Sequence, residues 1–188
     1  MLGSICEYGK RRISHNNLTS ENYVSVENLL QEKKGKRDSD NVPTEGQYIE
    51  YLEGDTLLGN IRPYLKKIWC ADRDGGTNGD VLVVRIQEEF QTILTARYLY
   101  YCLSSDAFFH YNTSHSKGAK MPRGDKDAIM DYQINIPSIE DQLRIVDILD
   151  RFDKICNDIT EGLPAEIEAR QKQYEYYRDK LLTFEKAE

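Results

Sequence analysis

The sequence predicts an α+β chain: a globular domain of strands and short helices over residues 1–137, then a long helical, coiled-coil region over residues 138–188. Three observations carry this. Extended-type runs such as Val81-Leu82-Val83-Val84 crowd into the first part of the chain. At Pro137 an extended stretch ends, and Ser138 with Asp141 three residues on has the pattern of a capping box. From there onward apolar residues recur at three- and four-residue steps.

Taken in order, residues 8–22 are polar, and Lys10-Arg11-Arg12 reads as a solvated turn or a phosphate contact. Residues 23–26 alternate as a strand does, and residues 31–46 are so rich in Lys, Asp, Gly and Pro that an exposed loop is expected. Strand content is highest over residues 47–71: Tyr48-Ile49, then Asp55-Thr56-Leu57-Leu58, a turn at Gly59-Asn60, and a further run over residues 61–69. In that last run Arg62, Tyr64 and Lys66 alternate with Ile61, Leu65 and Ile68, which would set guanidinium, phenol and ammonium on one side of a pleated segment. Such a side is either a groove-facing surface or an edge strand charged against aggregation. Residues 71–80, including Asn78, read as a turn-rich loop without the ligand pattern of a calcium hand.

Residues 95–104 read as a mostly buried helix, and Asp106 as the cap of a shorter one containing Phe108, Phe109 and Tyr111. The basic run over residues 115–126 follows, with Ser116, Lys117, Lys120, Arg123 and Lys126 against the single acid Asp125. Two glycines and a proline keep it from being a regular helix, so its cations stand on a loop that a ligand backbone could approach closely. Lys and Arg supply phosphate contacts, and Arg also pairs with guanine edges. Gln133-Ile134-Asn135-Ile136 reads as a strand before Pro137.

The first tail helix carries Ile139, Leu143, Ile145, Val146, Ile148, Leu149, Phe152, Ile155 and Ile159, a stripe wide enough to pack on a core or a partner helix. Gly162 and Pro164 predict a break at about residues 160–164. Beyond it Leu163, Tyr177 and Phe184 share one heptad position with Arg170, and Ile167, Tyr174 and Leu181 share another. Charges on the other faces leave only this narrow seam to bury, so a second copy is the expected cover, with folding back on its own domain as the alternative.

Before residue 137 there are 17 Lys+Arg against 19 Asp+Glu, and from there on 8 against 13, so the net charge of -7 sits mainly in the tail and leaves room for a local basic face. Cys6, Cys70, Cys102 and Cys156 lack metal-ligand or disulfide-framework spacing, which fits reduced thiols in a cytoplasmic protein. Neither a secretion signal nor a membrane span is expected. Two glycosylation sequons, at Asn17 and Asn112, and the tripeptide Arg123-Gly124-Asp125 read as chance. Glycine-rich nucleotide loops, clustered histidines and nucleophile motifs are absent, so no complete catalytic centre is expected.

Three stretches together resemble a family: residues 57–67, the loop over residues 118–125, and residues 134–184 with Glu140, Gln142, Ile145, Leu149 and Phe152. They are similar to the specificity subunits of type I restriction-modification enzymes. Such a subunit usually carries two target recognition domains and two conserved helical regions, whereas this chain holds one of each and looks like a half subunit. The resemblance implies recognition of double-stranded DNA without chemistry in this chain. It also implies methyltransferase subunits carrying S-adenosylmethionine, a restriction subunit using ATP and magnesium, and a homodimer formed through the C-terminal helices. The expected DNA contacts are Arg62, Tyr64, Lys66, Lys117, Lys120 and Arg123, with Asn60, Asn78 and Ser116 as base readers. The competing class is a dimeric coiled-coil adaptor whose globular part binds protein; within the family, a silent half-gene product is a further alternative.

Overall fold

The computed structural model describes residues 1–154 and Gln173. The predicted break at residues 160–164 and the seam residues Leu163, Ile167, Tyr174, Tyr177, Leu181 and Phe184 lie outside the described residues. The chain forms two compact units, Met1–Val146 and Asp147–Glu188.

The first unit includes eight strands and three α-helices, with the start of a fourth helix at its end: β1 Cys6–Tyr8, β2 Arg12–Ser14, β3 Tyr23–Val24, β4 Gln47–Tyr51, β5 Thr56–Gly59, β6 Ile68–Cys70, β7 Gly75–Thr77, β8 Val81–Ile86, α1 Ala96–Ser104, α2 Asp106–Ser114 and α3 Lys126–Asp131. One sheet has the order β1-β8-β5-β6 and is antiparallel throughout, with Leu57 opposite Val83 and Leu58 opposite Leu82. The other has the order β2-β4-β7-β3, in which only β3 and β7 run parallel.

The unbroken apolar run of β8 follows from its position. Leu82 and Val84 join Leu58, Ile68, Leu99, Leu103, Phe108, Phe109 and Ile129 in a core shared with the helices. Val81 and Val83 point the other way and join Leu57 and Trp69 against Val24, Leu29 and Tyr51. A sheet covered on both faces needs apolar side chains at every position, not at alternate ones. Arg85 is the exception: its guanidinium meets the buried Asp55 carboxylate at 2.6 Å, while Asp55 also accepts from the Leu52 N–H at 2.7 Å. Burial pushes the Cys6 thiol up to about 12, which suits a packing residue and not a nucleophile.

Local capping explains where the helices start. Thr95 accepts from Tyr98 N–H at α1, and Asp125 accepts from Asp127 N–H at α3. At α2 the cap is Ser105, which accepts from Phe108 N–H, and Asp106 is the first helical residue rather than the cap. Residues 139–154 are helical and will be called α4. The N-cap half of the expected capping box is formed: Ser138 Oγ accepts from Asp141 N–H at 3.2 Å, and its hydroxyl donates to Asp141 Oδ2 at 2.8 Å. The Gln142 side chain, wholly buried, accepts from Thr95 N–H at 2.9 Å and donates to the Ile93 and Pro137 carbonyls at 2.7 and 2.9 Å. Val146 packs on the helical core, whereas Leu143 and Ile145 are exposed. Farther along α4, in the second unit, Ile148 and Phe152 are exposed as well.

Three expectations need correction. Residues 133–136 form no strand; Ile134 packs on the core and the Asn135 carbonyl accepts from the Tyr98 hydroxyl. The turn-rich loop over residues 71–80 contains β7, a central strand made of two glycines and a threonine because its neighbours leave no room for side chains. The run over residues 61–69 is strand only at its end, in β6.

Candidate nucleic-acid interface

Between Asn60 and Ile68 the chain leaves the first sheet and makes a compact loop instead of the pleated segment that alternation suggested. Pro63 opens a single 3-10 turn, Pro63–Leu65, and the residues on either side, Arg62 and Lys66, take left-handed backbone conformations with φ of 52° and 50°. The side chains of residues 62, 64 and 66 therefore do not share a pleated face.

Two other loops are sewn to this one by main-chain hydrogen bonds. On one side Glu32 N–H donates to the Leu65 carbonyl at 3.1 Å and Lys33 N–H to the Lys66 carbonyl at 3.0 Å. On the other, Arg62 N–H donates to the Pro122 carbonyl at 2.7 Å and Gly124 N–H to the Asn60 carbonyl at 3.1 Å. The basic loop closes on itself through reciprocal Lys117–Arg123 backbone bonds of 2.9 Å. Glu32 and Lys33 are left-handed too, and with Arg62 and Lys66 they are the positive-φ residues other than glycine among the described residues. Each such residue costs about 1 kcal/mol or more, so the backbone bonds between the loops must hold these conformations in place.

The side chains sort clearly. Arg62, Tyr64, Lys117, Lys120 and Arg123 are exposed and Lys66 is half-buried. Lys66 meets Asp106 at 3.0 Å, Lys117 meets Asp125 at 2.5 Å and Arg123 meets Asp80 at 2.9 Å. Lys117 beside it holds the Asp125 carboxyl below the ordinary carboxylate range, with backbone N–H donors adding to the effect. Arg62 and Lys120 form no ion pair with a described residue. Asn78 lies on the wall of a cleft of about 610 Å³ with Arg62 and Met121, and its Oδ1 accepts from Asp80 N–H.

Asn60 is the correction: it is buried, so it cannot present an amide to a base, and its backbone instead receives the basic loop. Ser116 is partly spent as well, its hydroxyl donating to the Thr113 carbonyl at the end of α2. Sequence reasoning missed Lys33, Arg37 and Asn41, the first at the junction with residues 65–66 and the others on the cleft wall. Their signal was present in the Lys33-Lys34 and Lys36-Arg37 pairs inside what reads as a solvated loop.

Gly124 shows how closely the basic loop is seated. A Cβ there would lie 2.5 Å from Asn112 Oδ1 and 2.9 Å from Asn60 Oδ1, both on buried side chains. Gly124→Ala is expected to lift residues 117–123 off their seat. It should cost on the order of 2 kcal/mol in urea unfolding and raise amide exchange at Arg62, whose N–H bonds the Pro122 carbonyl across the seat, whereas unchanged exchange there would refute the seating.

Among the described residues no three His, Cys, Asp or Glu side chains gather as a metal site, and no helix is long and apolar enough to cross a membrane.

Comparison with known proteins places the chain in a family. Residues 2–169 match the model of the type I restriction modification DNA specificity domain. The chain is 43% identical over 95 residues to the EcoR124I/EcoR124II specificity subunit of Escherichia coli, covering 50% of this chain and 24% of that protein. It is 39% identical over 162 residues to a putative type I restriction enzyme specificity subunit of Haemophilus influenzae, covering 86% and 37%. In fold it resembles the HsdS subunit from Thermoanaerobacter tengcongensis, with a TM-score of 0.66, 22% identity, and 92% of this chain against 46% of that one. The chain thus spans less than half the length of each of these relatives, and over the span it shares with them its sequence and its α+β fold agree: it belongs to the family of type I restriction modification DNA specificity domains.

Proposed function

We propose that this chain is the sequence-reading component of a type I restriction-modification complex, binding double-stranded DNA with the three joined loops and leaving catalysis to other subunits. The observation that carries the reading is the strained, cationic surface formed by residues 31–35, 61–67 and 117–124 on a domain of this family. Arg62, Lys66, Lys117, Lys120 and Arg123 hold backbone phosphates, and Tyr64 adds an exposed aromatic edge. Asn78 and, at reduced capacity, Ser116 read bases from the cleft side. Methylation of adenine falls to methyltransferase subunits that bind S-adenosylmethionine, and cleavage to a restriction subunit using ATP and magnesium, all in the cytoplasm.

The finer proposal concerns the tail. Leu163, Ile167, Tyr174, Tyr177, Leu181 and Phe184 clasp a second copy and set two recognition domains about 30 Å apart, at 1.5 Å per helical residue. That distance is close to the roughly 34 Å of one DNA turn, so the target is bipartite and palindromic.

The test joins a binding and a genomic measurement. Lys120→Ala with Arg123→Ala is expected to weaken duplex binding on the order of tenfold near 100 mM salt and to lower the slope of log K against log salt by about 1.8. Self-association should be unchanged. Methylated adenines at the target should vanish from a host lacking the chain. A salt-independent response, or loss of duplex binding together with loss of self-association, would overturn the assignment.

A further inference from the structure

Lys33 and Lys66 come from loops far apart in sequence, yet both ammonium groups converge on one atom. Lys33 Nζ lies 3.2 Å and Lys66 Nζ 3.0 Å from Asp106 Oδ1. Glu32 adds a looser contact to Lys66 at 3.8 Å. The backbone imposes this meeting: residues 32 and 33 are bonded to the carbonyls of Leu65 and Lys66, and both lysines sit in the left-handed region. Two like charges held together repel unless an anion lies between them.

Asp106 is a poor structural reason for such an arrangement. Its side chain is 75% exposed, and surface ion pairs contribute little to folding. It does supply a charged oxygen accepting from two ammonium donors, which is what a phosphate oxygen asks for. Tyr64, Phe109, His110 and Thr113 line a recess of about 430 Å³ beside Lys66 and Asp106, room for a phosphate group next to the lysine.

We propose that Lys33 and Lys66 form a phosphate-binding point for the duplex backbone, filled in the unbound protein by the Asp106 carboxylate acting as an internal substitute anion. The inference rests on the DNA-binding reading above and adds Lys33 and Asp106 to it. Asp106 then acts as a brake. Each binding event must displace it, so loosely fitting duplexes are held less tightly than the lysines alone would hold them. Asp80 beside Arg123 and Asp125 beside Lys117 repeat the same pairing on the neighbouring loop.

The experiment uses the full chain and a mixed-sequence duplex titrated across salt, with Lys33→Ala, Asp106→Asn and the Lys120→Ala, Arg123→Ala double variant in parallel. Lys33→Ala is expected to weaken binding on the order of threefold to fivefold near 100 mM salt and to lower the salt slope by about 0.9. Asp106→Asn is expected to tighten binding by a similar factor while lowering the unfolding midpoint slightly, since it leaves the two ammonium groups facing each other, whereas Lys33→Ala should leave the midpoint in place. If both bind like the wild type while the double variant is weakened, the phosphate point is overturned and the DNA reading stands. Weaker binding by Asp106→Asn would also overturn it, by making Asp106 a support for the lysines. A wild-type chain with no salt-dependent duplex binding overturns the DNA reading and this inference together.

Discussion

Gly75→Ala is expected to lower the unfolding free energy by about 3 kcal/mol, at the upper end of what overpacking costs. A Cβ at Gly75 would lie within 2.6 Å of the Asn22 carbonyl oxygen and of the Tyr51 phenol, far inside contact distance. Neither has somewhere to go. The Asn22 carbonyl is backbone, already accepting from Gly76 N–H at 3.0 Å and from the Tyr51 hydroxyl at 2.7 Å. Tyr51 itself is fully buried against Trp69. The strand must therefore move, and with it the pairing of β7 to both β4 and β3. Gly79→Ala is the control, since nothing lies within 4 Å of a Cβ there; it should stay within about 0.5 kcal/mol of the wild type. Equal urea midpoints for the two variants would refute the close-approach argument.

Gln142→Ala is expected to cost a comparable amount, about 3 kcal/mol, through three buried hydrogen bonds worth about 1 kcal/mol each. The loss has a defined location. Thr95 N–H, at the cap of α1, and the Ile93 carbonyl just before it would lose their side-chain partner, as would the Pro137 carbonyl. Exchange of the Thr95 amide should rise in step with the fall in stability. Gln142→Met keeps most of the volume and separates packing from hydrogen bonding: it should lose nearly as much as alanine. A methionine variant within about 0.5 kcal/mol of the wild type would mean that the amide contributes by filling space alone.

These two residues also show what was legible in the sequence. The start of α4 was readable because a capping box is local: Ser138 and Asp141 need only each other. The strands β5 and β8 were readable because a doubly covered sheet leaves continuous apolar runs. Strand β7 was not, since Gly75-Gly76 has the composition of a turn and becomes a strand only when Tyr51, Ile13 and Leu18 press against it. Strand β1 was missed for a similar reason, its three residues being defined by pairing with β8 nearly eighty positions away.

At the candidate interface, Lys120 and Arg123 were singled out from charge and loop chemistry and Arg62 from an alternating run, and the structure brings their loops together. The alternation of Arg62, Tyr64 and Lys66 misled because Pro63 fixes its own φ and initiates a 3-10 turn, which gives a loop with two left-handed flanks. Asn60 misled because a polar residue beside a turn looks exposed, whereas here the basic loop closes over it. Lys33 could be found only after the fold had brought it to Lys66.

The stitches between the three loops are made almost wholly of peptide groups. Leu65, Lys66, Pro122 and Asn60 contribute carbonyls, and Glu32, Lys33, Arg62 and Gly124 contribute amides, so side-chain identity at most of these positions plays no part in the fastening. Point changes at Arg62, Lys117, Lys120 or Met121 would thus alter the charge and shape of the exposed surface while the frame beneath stays shut. The outer side chains can therefore drift while the fastening holds, with Gly124 as the position in the basic loop least free to vary.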